Sequence, residues 1–266
     1  MGKVVITLIK RSKDKWLAHQ VEKEQATLNL ICFVFAGGSP SFFAPWKSLL
    51  PDWINLIPVL YPMREKRIGD PMPKDIESFV DEFFEDNQRL MDKNIAIWGH
   101  CSGCIIGMEY ARLICKAGKI PKAFIISGAE APSQVLMRLK GGNENRDLSE
   151  LSDEQILRDL SKYQMMEPDM IANETFCKYF IPIFKADLGL FHSYVPKQDP
   201  QIAAPALVMN GEDDKSLVWD TVEEWQNYFT SKVEFRKYPG EHYFVNDNRK
   251  KIIDDIAEFI NLNGTV

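Results

Sequence analysis

Seven short apolar runs, each closed by turn-forming residues, punctuate the chain: Val4–Ile9, Leu28–Phe35, Asn55–Tyr61, Asn94–Trp98, Ala123–Ser127, Ala206–Asn210 and Val233–Tyr238. They are continuous rather than alternating and rich in β-branched and aromatic residues, as strands buried on both faces of a parallel sheet are. Between them, Asp75–Met91 sets Ile76, Phe79, Val80, Phe83, Phe84 and Leu90 near a 3.6-residue period with charges opposite. Ser102–Lys116, Trp219–Thr230 and Arg249–Leu262 read similarly. Strands alternating with helices imply βαβ units with right-handed crossovers, hence an α/β protein with a mostly parallel central sheet flanked by helices.

One stretch breaks the alternation. Gly141–Pro196 holds no strand-like run, only amphipathic segments such as LSELSDEQILRDLSKY and NETFCKYFIPIFKADLGLF. Ligands of parallel sheets bind beyond the carboxyl ends of the strands, so a helical insertion at about 141–196 is expected to form a lid there; plain packing helices are the alternative. With no repeat, low-complexity tract or linker, residues 1–266 are expected to form a single domain.

Composition removes some function classes. Apolar residues make up 45% of the 266 positions and the net charge is −6. Mild acidity argues against non-specific nucleic-acid binding, which needs a basic surface. No apolar run approaches the roughly 18–20 residues that span a bilayer, and MGKVVITLIKRSKDKW has its basic residues on the wrong side for a secretory signal. Five scattered cysteines (Cys32, Cys101, Cys104, Cys115, Cys177) do not suggest a disulfide framework, and a reduced cytoplasm is the expected setting.

The chemistry concentrates at Gly99-His100-Cys101-Ser102-Gly103, where a strand-like run meets a helix-like one. A G-x-nucleophile-x-G turn between strand and helix strains the central residue and pushes it into the crevice, with glycines where side chains would clash. The helix N-terminus beside it favours negative charge. Cys101 is thus a candidate nucleophile, and sulfur is intrinsically more nucleophilic than a hydroxyl. Ser102 as nucleophile, Cys101-x-x-Cys104 as a redox pair, and a merely structural turn are the competing readings.

A base and an acid follow in the order that α/β-hydrolases use, nucleophile, acid, histidine. Asp214 stands in a G-x-x-D turn after Ala206–Asn210, with Asp213 as the fallback. His242 stands in a loop before the last helix, and of the four histidines (His19, His100, His192, His242) it alone fits the order. The loop Ala36-Gly-Gly-Ser-Pro-Ser is the candidate oxyanion loop, its glycines allowing close approach to a ligand, with the N–H groups of Ala36 and Ser102 as donors.

In this order and spacing the residues resemble the type II thioesterases of nonribosomal peptide and polyketide synthesis, from about Asn29 to the C-terminus. AGGSPSFFAPW resembles that family's oxyanion segment, YPMRE its P-G-R-E stretch, and GHCSG followed by MEYARLI its G-H-S-M-G and helix. FIISGAEAP, LSELSDEQILRDL, GEDD and GEHYF are similar to its next strand, lid start, acid and histidine segments. Cys101 replaces the usual serine, Phe35 a frequent histidine, and Met63 a glycine.

The resemblance implies an α/β-hydrolase fold with a helical lid. It also implies hydrolysis of acyl or peptidyl thioesters on the phosphopantetheine arm of a carrier protein, with no metal or other cofactor. Transfer of a Cys101-bound acyl group to an amine, alcohol or thiol is the alternative, and a catalytically weak carrier-protein-binding protein a further one. Gly37, His100, Met165 and Phe180 are candidate substrate contacts, with Met166 and Phe184 as further channel residues; for Met165, Met166, Phe180 and Phe184 the competing reading is a stripe of ordinary core. Arg64, Lys66 and Arg67 are read as solvated charge, the alternative being contact with an acidic carrier protein. A monomer that binds neither nucleic acid nor membrane is expected.

Overall fold

Six apolar runs become strands: β1 (Leu28–Phe33), β2 (Ile54–Pro58), β3 (Asn94–His100), β4 (Ala123–Ser127), β5 (Ala206–Gly211) and β6 (Val233–Tyr238). The structure, a computed structural model, describes residues 15–139, 150–197 and 201–263, so the expected strand at Val4–Ile9 lies outside the described residues. The sheet runs β2-β1-β3-β4-β5-β6 with every neighbouring pair parallel. All residues of β1, β2, β4 and β5 are buried, which is why their sequences are apolar without alternation. The edge strand β6 is only half-buried and carries Glu234, Arg236 and Lys237, charges that discourage pairing with another chain.

The flanking helices are α1 (Ile76–Asp86), α2 (Gly103–Lys116), α3 (Pro132–Leu139), α4 (Asp153–Lys162), α5 (Pro168–Ile171), α6 (Glu174–Gly189), α7 (Trp219–Val222), α8 (Phe244–Asp247) and α9 (Arg249–Asn263). Two expected helices are shorter than their periodicity suggests. The first stops at Asn87, whose side chain donates to Phe83 O, and Gln88–Asp92 continues as a 3-10 turn. The Trp219–Thr230 stretch splits into α7 and a 3-10 segment at Glu223–Tyr228. There Trp225 Nε1 donates to Ala129 O, and Gln134 donates to the Glu224 carboxylate, and such tertiary tethers override helical periodicity.

The helical insertion starts earlier than expected, with α3 at Pro132, and its described part continues through α4, α5 and α6. A capping box opens α4: Gln155 N–H donates to Ser152 Oγ and Ser152 N–H to Gln155 Oε1. Ile156, Leu160, Cys177, Phe180 and Ile181 form a small core of their own, distinct from the main core around the sheet. The C-terminal end of α6 crosses between them, since Leu188 belongs to the main core.

Order of winding places the site. From β1 the chain goes outward to β2, then crosses back to β3 and on to β6, so the direction reverses between β1 and β3. Ligand crevices in open parallel sheets form at such a switch point. Here Phe33 pairs with Gly99 in register, so the loop after β1 and the turn after β3 emerge side by side.

Candidate active site

The turn after β3 is as tight as its sequence demands. Cys101 has φ +54°, a region costly for a residue with a Cβ and typical of strained functional positions. A Cβ on Gly99 would lie 2.4 Å from Cys104 Cα, and one on Gly103 2.4 Å from Phe33 O. Bare backbone at both positions lets α2 start directly against β1. Cys101 N–H donates to Ser127 O at 2.9 Å, pinning the apex to β4. Ser102, one residue past the apex, is the helical N-cap of α2 with φ −58°. Cys104 is fully buried, its thiol turned to Ser127 O, and burial pushes its pKa up.

Asp214 and His242 come together at the ends of β5 and β6. Gly211 is what permits it, since a Cβ there would lie 2.4 Å from Glu241 O. His242 Nδ1–H donates to Asp214 Oδ2 at 2.8 Å. The other carboxylate oxygen accepts from Ser216 Oγ at 2.6 Å and Ser216 N–H at 2.9 Å, and Ser216 Oγ lies 3.2 Å from His242 Nδ1. Burial opposes the Asp214 carboxylate, but the His242 and Ser216 hydrogen bonds outweigh it and hold its pKa below the usual range. Asp213 is exposed, and its backbone N–H donates to Gly240 O at 3.0 Å.

Burial also opposes charging His242, yet its interactions with Cys101 and then Asp214 push the imidazole up to about 10. Its buried Nε2 makes no well-aligned hydrogen bond, so the pull of Cys101 is mainly charge attraction across the pocket. Removing this side chain as Cys101→Ala is therefore expected to lower the His242 pKa in an NMR titration of its ring nitrogens; an unchanged value would exclude an ion pair between the two. The sign for stability follows: this raised pKa contributes stability fully present below about 6.5. That stability is lost as pH climbs through about 10.

Ala36, Cys101, Ser102 and His242 open into one cavity of about 270 Å³, otherwise lined mainly by apolar side chains including Leu160, Met165, Met166, Phe180 and Phe184 of the insertion. Neither the Ala36 nor the Ser102 N–H has an internal hydrogen-bond partner among the described residues. A larger hollow of about 480 Å³ between α4 and α6 is open to solvent and contains none of these groups. Among the described residues no cluster of three or more His, Cys, Asp or Glu could hold a metal ion, and no helix is long and apolar enough to cross a membrane.

Residues 28–260 match the family model described as a thioesterase domain. The chain belongs to the thioesterase family. It is 24% identical over 250 residues to the gramicidin S biosynthesis protein GrsT of Aneurinibacillus migulanus, covering 94% of this chain and 95% of that one. It is 28% identical over 255 residues to the medium-chain S-acyl fatty acid synthase thioesterase of Rattus norvegicus, again 94% and 95% of the two chains. In fold it resembles the type II thioesterase BorB from the borrelidin biosynthetic cluster, with TM-score 0.79 at 22% identity over 92% of this chain and 97% of BorB.

Not every residue of this thioesterase lies where its sequence suggests. His100, expected to touch substrate, is completely buried and does not line the cavity. Ser127 Oγ donates to Gly99 O and accepts from Trp98 Nε1, leaving His100 Nδ1–H to donate to it at 3.0 Å. Burial, then the neighbouring His242 charge, hold His100 well below the ordinary pKa, hence neutral. Stacked on Phe42, with Phe35 edge-on and Tyr243 tilted beside it, it packs against His242. Phe35, edge-on to both Phe42 and His100, joins that aromatic wall.

Gly37, also expected at the ligand, is likewise absent from the cavity lining, and its N–H donates to Asp187 Oδ2 at 2.7 Å. Arg64 and Arg67, read as solvated charge, are 1% and 4% exposed. Three partners were not foreseen at all: Ser216, Asp187 and Glu130, a buried cavity-lining acid that accepts from Thr221 Oγ1 at 2.7 Å. An Asp followed two residues on by Ser is a recognisable side-chain turn signal, so Ser216 was within reach of the sequence; the other two carry none.

Proposed function

We propose that the chain is a single-domain type II thioesterase of nonribosomal peptide or polyketide synthesis. It acts in the cytoplasm as a monomer and clears acyl or peptidyl groups from the phosphopantetheine arm of a carrier protein. The observation that carries this reading is a strained cysteine at the mouth of an apolar cavity, facing a histidine held by a buried aspartate. The relatives support it by what they are named for: gramicidin S biosynthesis, fatty acid synthase and borrelidin biosynthesis.

In this mechanism the Cys101 thiolate attacks the thioester carbonyl carbon, and the N–H groups of Ala36 and Ser102 hold the oxyanion. The new C–S bond forms as the bond to the pantetheine sulfur breaks, and His242 gives its proton to that leaving thiolate. His242, now neutral, takes a proton from water, whose oxygen attacks the acyl-Cys101 carbonyl. The free acid leaves and the thiolate–imidazolium pair is restored. Asp214 keeps the Nδ1 proton in place throughout. Acylation exchanges one thioester for another and is nearly balanced, so the acyl-enzyme retains transfer potential.

Intact-protein mass spectrometry with acetyl and longer acyl thioesters tests the proposal. An adduct on Cys101 that decays to free acid is expected. An adduct that persists until an amine, alcohol or second thiol is added would make the protein an acyltransferase, a reading that the thioester link to Cys101 keeps open. No adduct and no turnover with any donor would leave only the fold.

A further inference from the structure

Beside the cavity, a buried ion pair reaches the candidate oxyanion loop from the lid. Asp187, on α6, is 2% exposed. Its Oδ2 accepts the Gly37 N–H at 2.7 Å and Arg64 Nη1 at 3.0 Å, while Arg64 Nη2 donates to Oδ1. The same guanidinium donates from Nη1 to Gly38 O and from Nε to Pro62 O. Replacing a buried ion pair by well-packed apolar residues is often neutral or stabilising, so stability alone does not account for charges here. Their geometry does something more specific: they fix both sides of the peptide units that follow Ala36.

The turn that presents Arg64 is itself strained and fastened. Met63 and Glu65 have φ +65° and +48°, Met63 N–H donates to Arg67 O, and Arg67 lies over the Trp16 ring. Glu65 accepts from Ser39 Oγ, the next residue along the loop. Phe180 of α6 presses on Gly37 so closely that a Cβ there would lie 2.3 Å from its ring. Gly37 itself has φ +76°.

We propose that Arg64 and Asp187 are positioning residues that aim the Ala36 N–H at the developing oxyanion and couple that aim to the seating of α6. The proposal rests on the thioesterase mechanism above. With α6 seated, Asp187 orients the Gly37 peptide and so the backbone of Ala36. When α6 shifts, the Gly37 N–H loses its acceptor and the hole loses a donor. Oxyanion stabilisation is then complete only when the lid covers the acyl chain, which restrains attack on a pantetheine thioester that has not filled the cavity.

The test compares two reactions of Cys101. Acylation by the octanoyl thioester of N-acetylcysteamine needs the hole; alkylation by iodoacetamide does not. Asp187→Asn is expected to lower acylation about 10–100-fold, somewhat less than loss of a donor outright, with KM within about threefold. Alkylation should stay within about twofold of wild type, because the thiolate–imidazolium pair is untouched. The charge-free pair Arg64→Met with Asp187→Leu should keep the melting temperature yet lose acylation to the same degree, which separates aim from folding. Wild-type acylation in either variant, or alkylation falling in parallel with it, would overturn the proposal. If wild-type protein forms no adduct, the proposed function falls instead, and amide exchange at Gly37 decides the positioning alone: faster exchange in Asp187→Asn supports it, unchanged exchange rejects it.

Discussion

Cys101→Ala is expected to lower kcat for thioester hydrolysis about 10⁴–10⁶-fold, the scale seen when an activated nucleophile is removed from a site of this kind. The loss is not total, because oxyanion donors and bound substrate still offer some advantage over water. Cys101→Ser should retain more activity than alanine but less than wild type. A serine hydroxyl leaves Asp214 as the only negative partner of His242, so the imidazole returns toward neutrality and must act as a general base rather than half of an ion pair with the nucleophile. Ser102→Ala, by contrast, keeps its N–H and should change kcat only slightly. Free acid released from an octanoyl thioester measures all three, and a Ser102 variant as impaired as Cys101→Ala would move the nucleophile one residue along.

Asp214→Asn is expected to cost about 10⁴-fold in kcat, for a reason that lies in proton placement. The carboxylate accepts from His242 Nδ1–H at one oxygen and from Ser216 at the other. An asparagine nitrogen facing Nδ1 would donate to it, driving the remaining proton onto Nε2. That neutral tautomer can neither take a proton from water nor pair as a cation with Cys101. The Asn variant should also lose both ways in which Asp214 raises the His242 pKa, its hydrogen bond and its charge. Steady-state rates together with the His242 titration check both consequences; a variant within tenfold of wild type would remove Asp214 from the mechanism.

Legibility of this molecule in its sequence follows the range of each interaction. Ala123–Ser127 and Val233–Tyr238 match their strands end for end, since apolar runs between turn residues are local facts. The Cys101 turn was legible because steric demands there fall on neighbours in sequence, Gly99 and Gly103. Asp214 and His242 were found through chain order, which stands in for geometry in this fold. Arg64 and Asp187 are 123 positions apart, and nothing local distinguishes a buried arginine from a solvated one. His100 misled for the opposite reason: adjacency to the apex suggests access, but at the end of β3 its side chain turns inward onto Ser127.

The parallel pairing of the six described strands bears on how the protein comes to be active at all. Each neighbouring strand is reached by a crossover rather than a hairpin, and β3 must find β1 across the whole of β2 and α1 before it gains a partner. Pairings so distant along the chain form slowly, because closure entropy is spent before the contact returns anything. Helices such as α2 gain their hydrogen bonds locally and sooner. The apex over β3 has no scaffold until β1 and β4 flank it, so a refolding chain regains helical content well before it regains a reactive thiol.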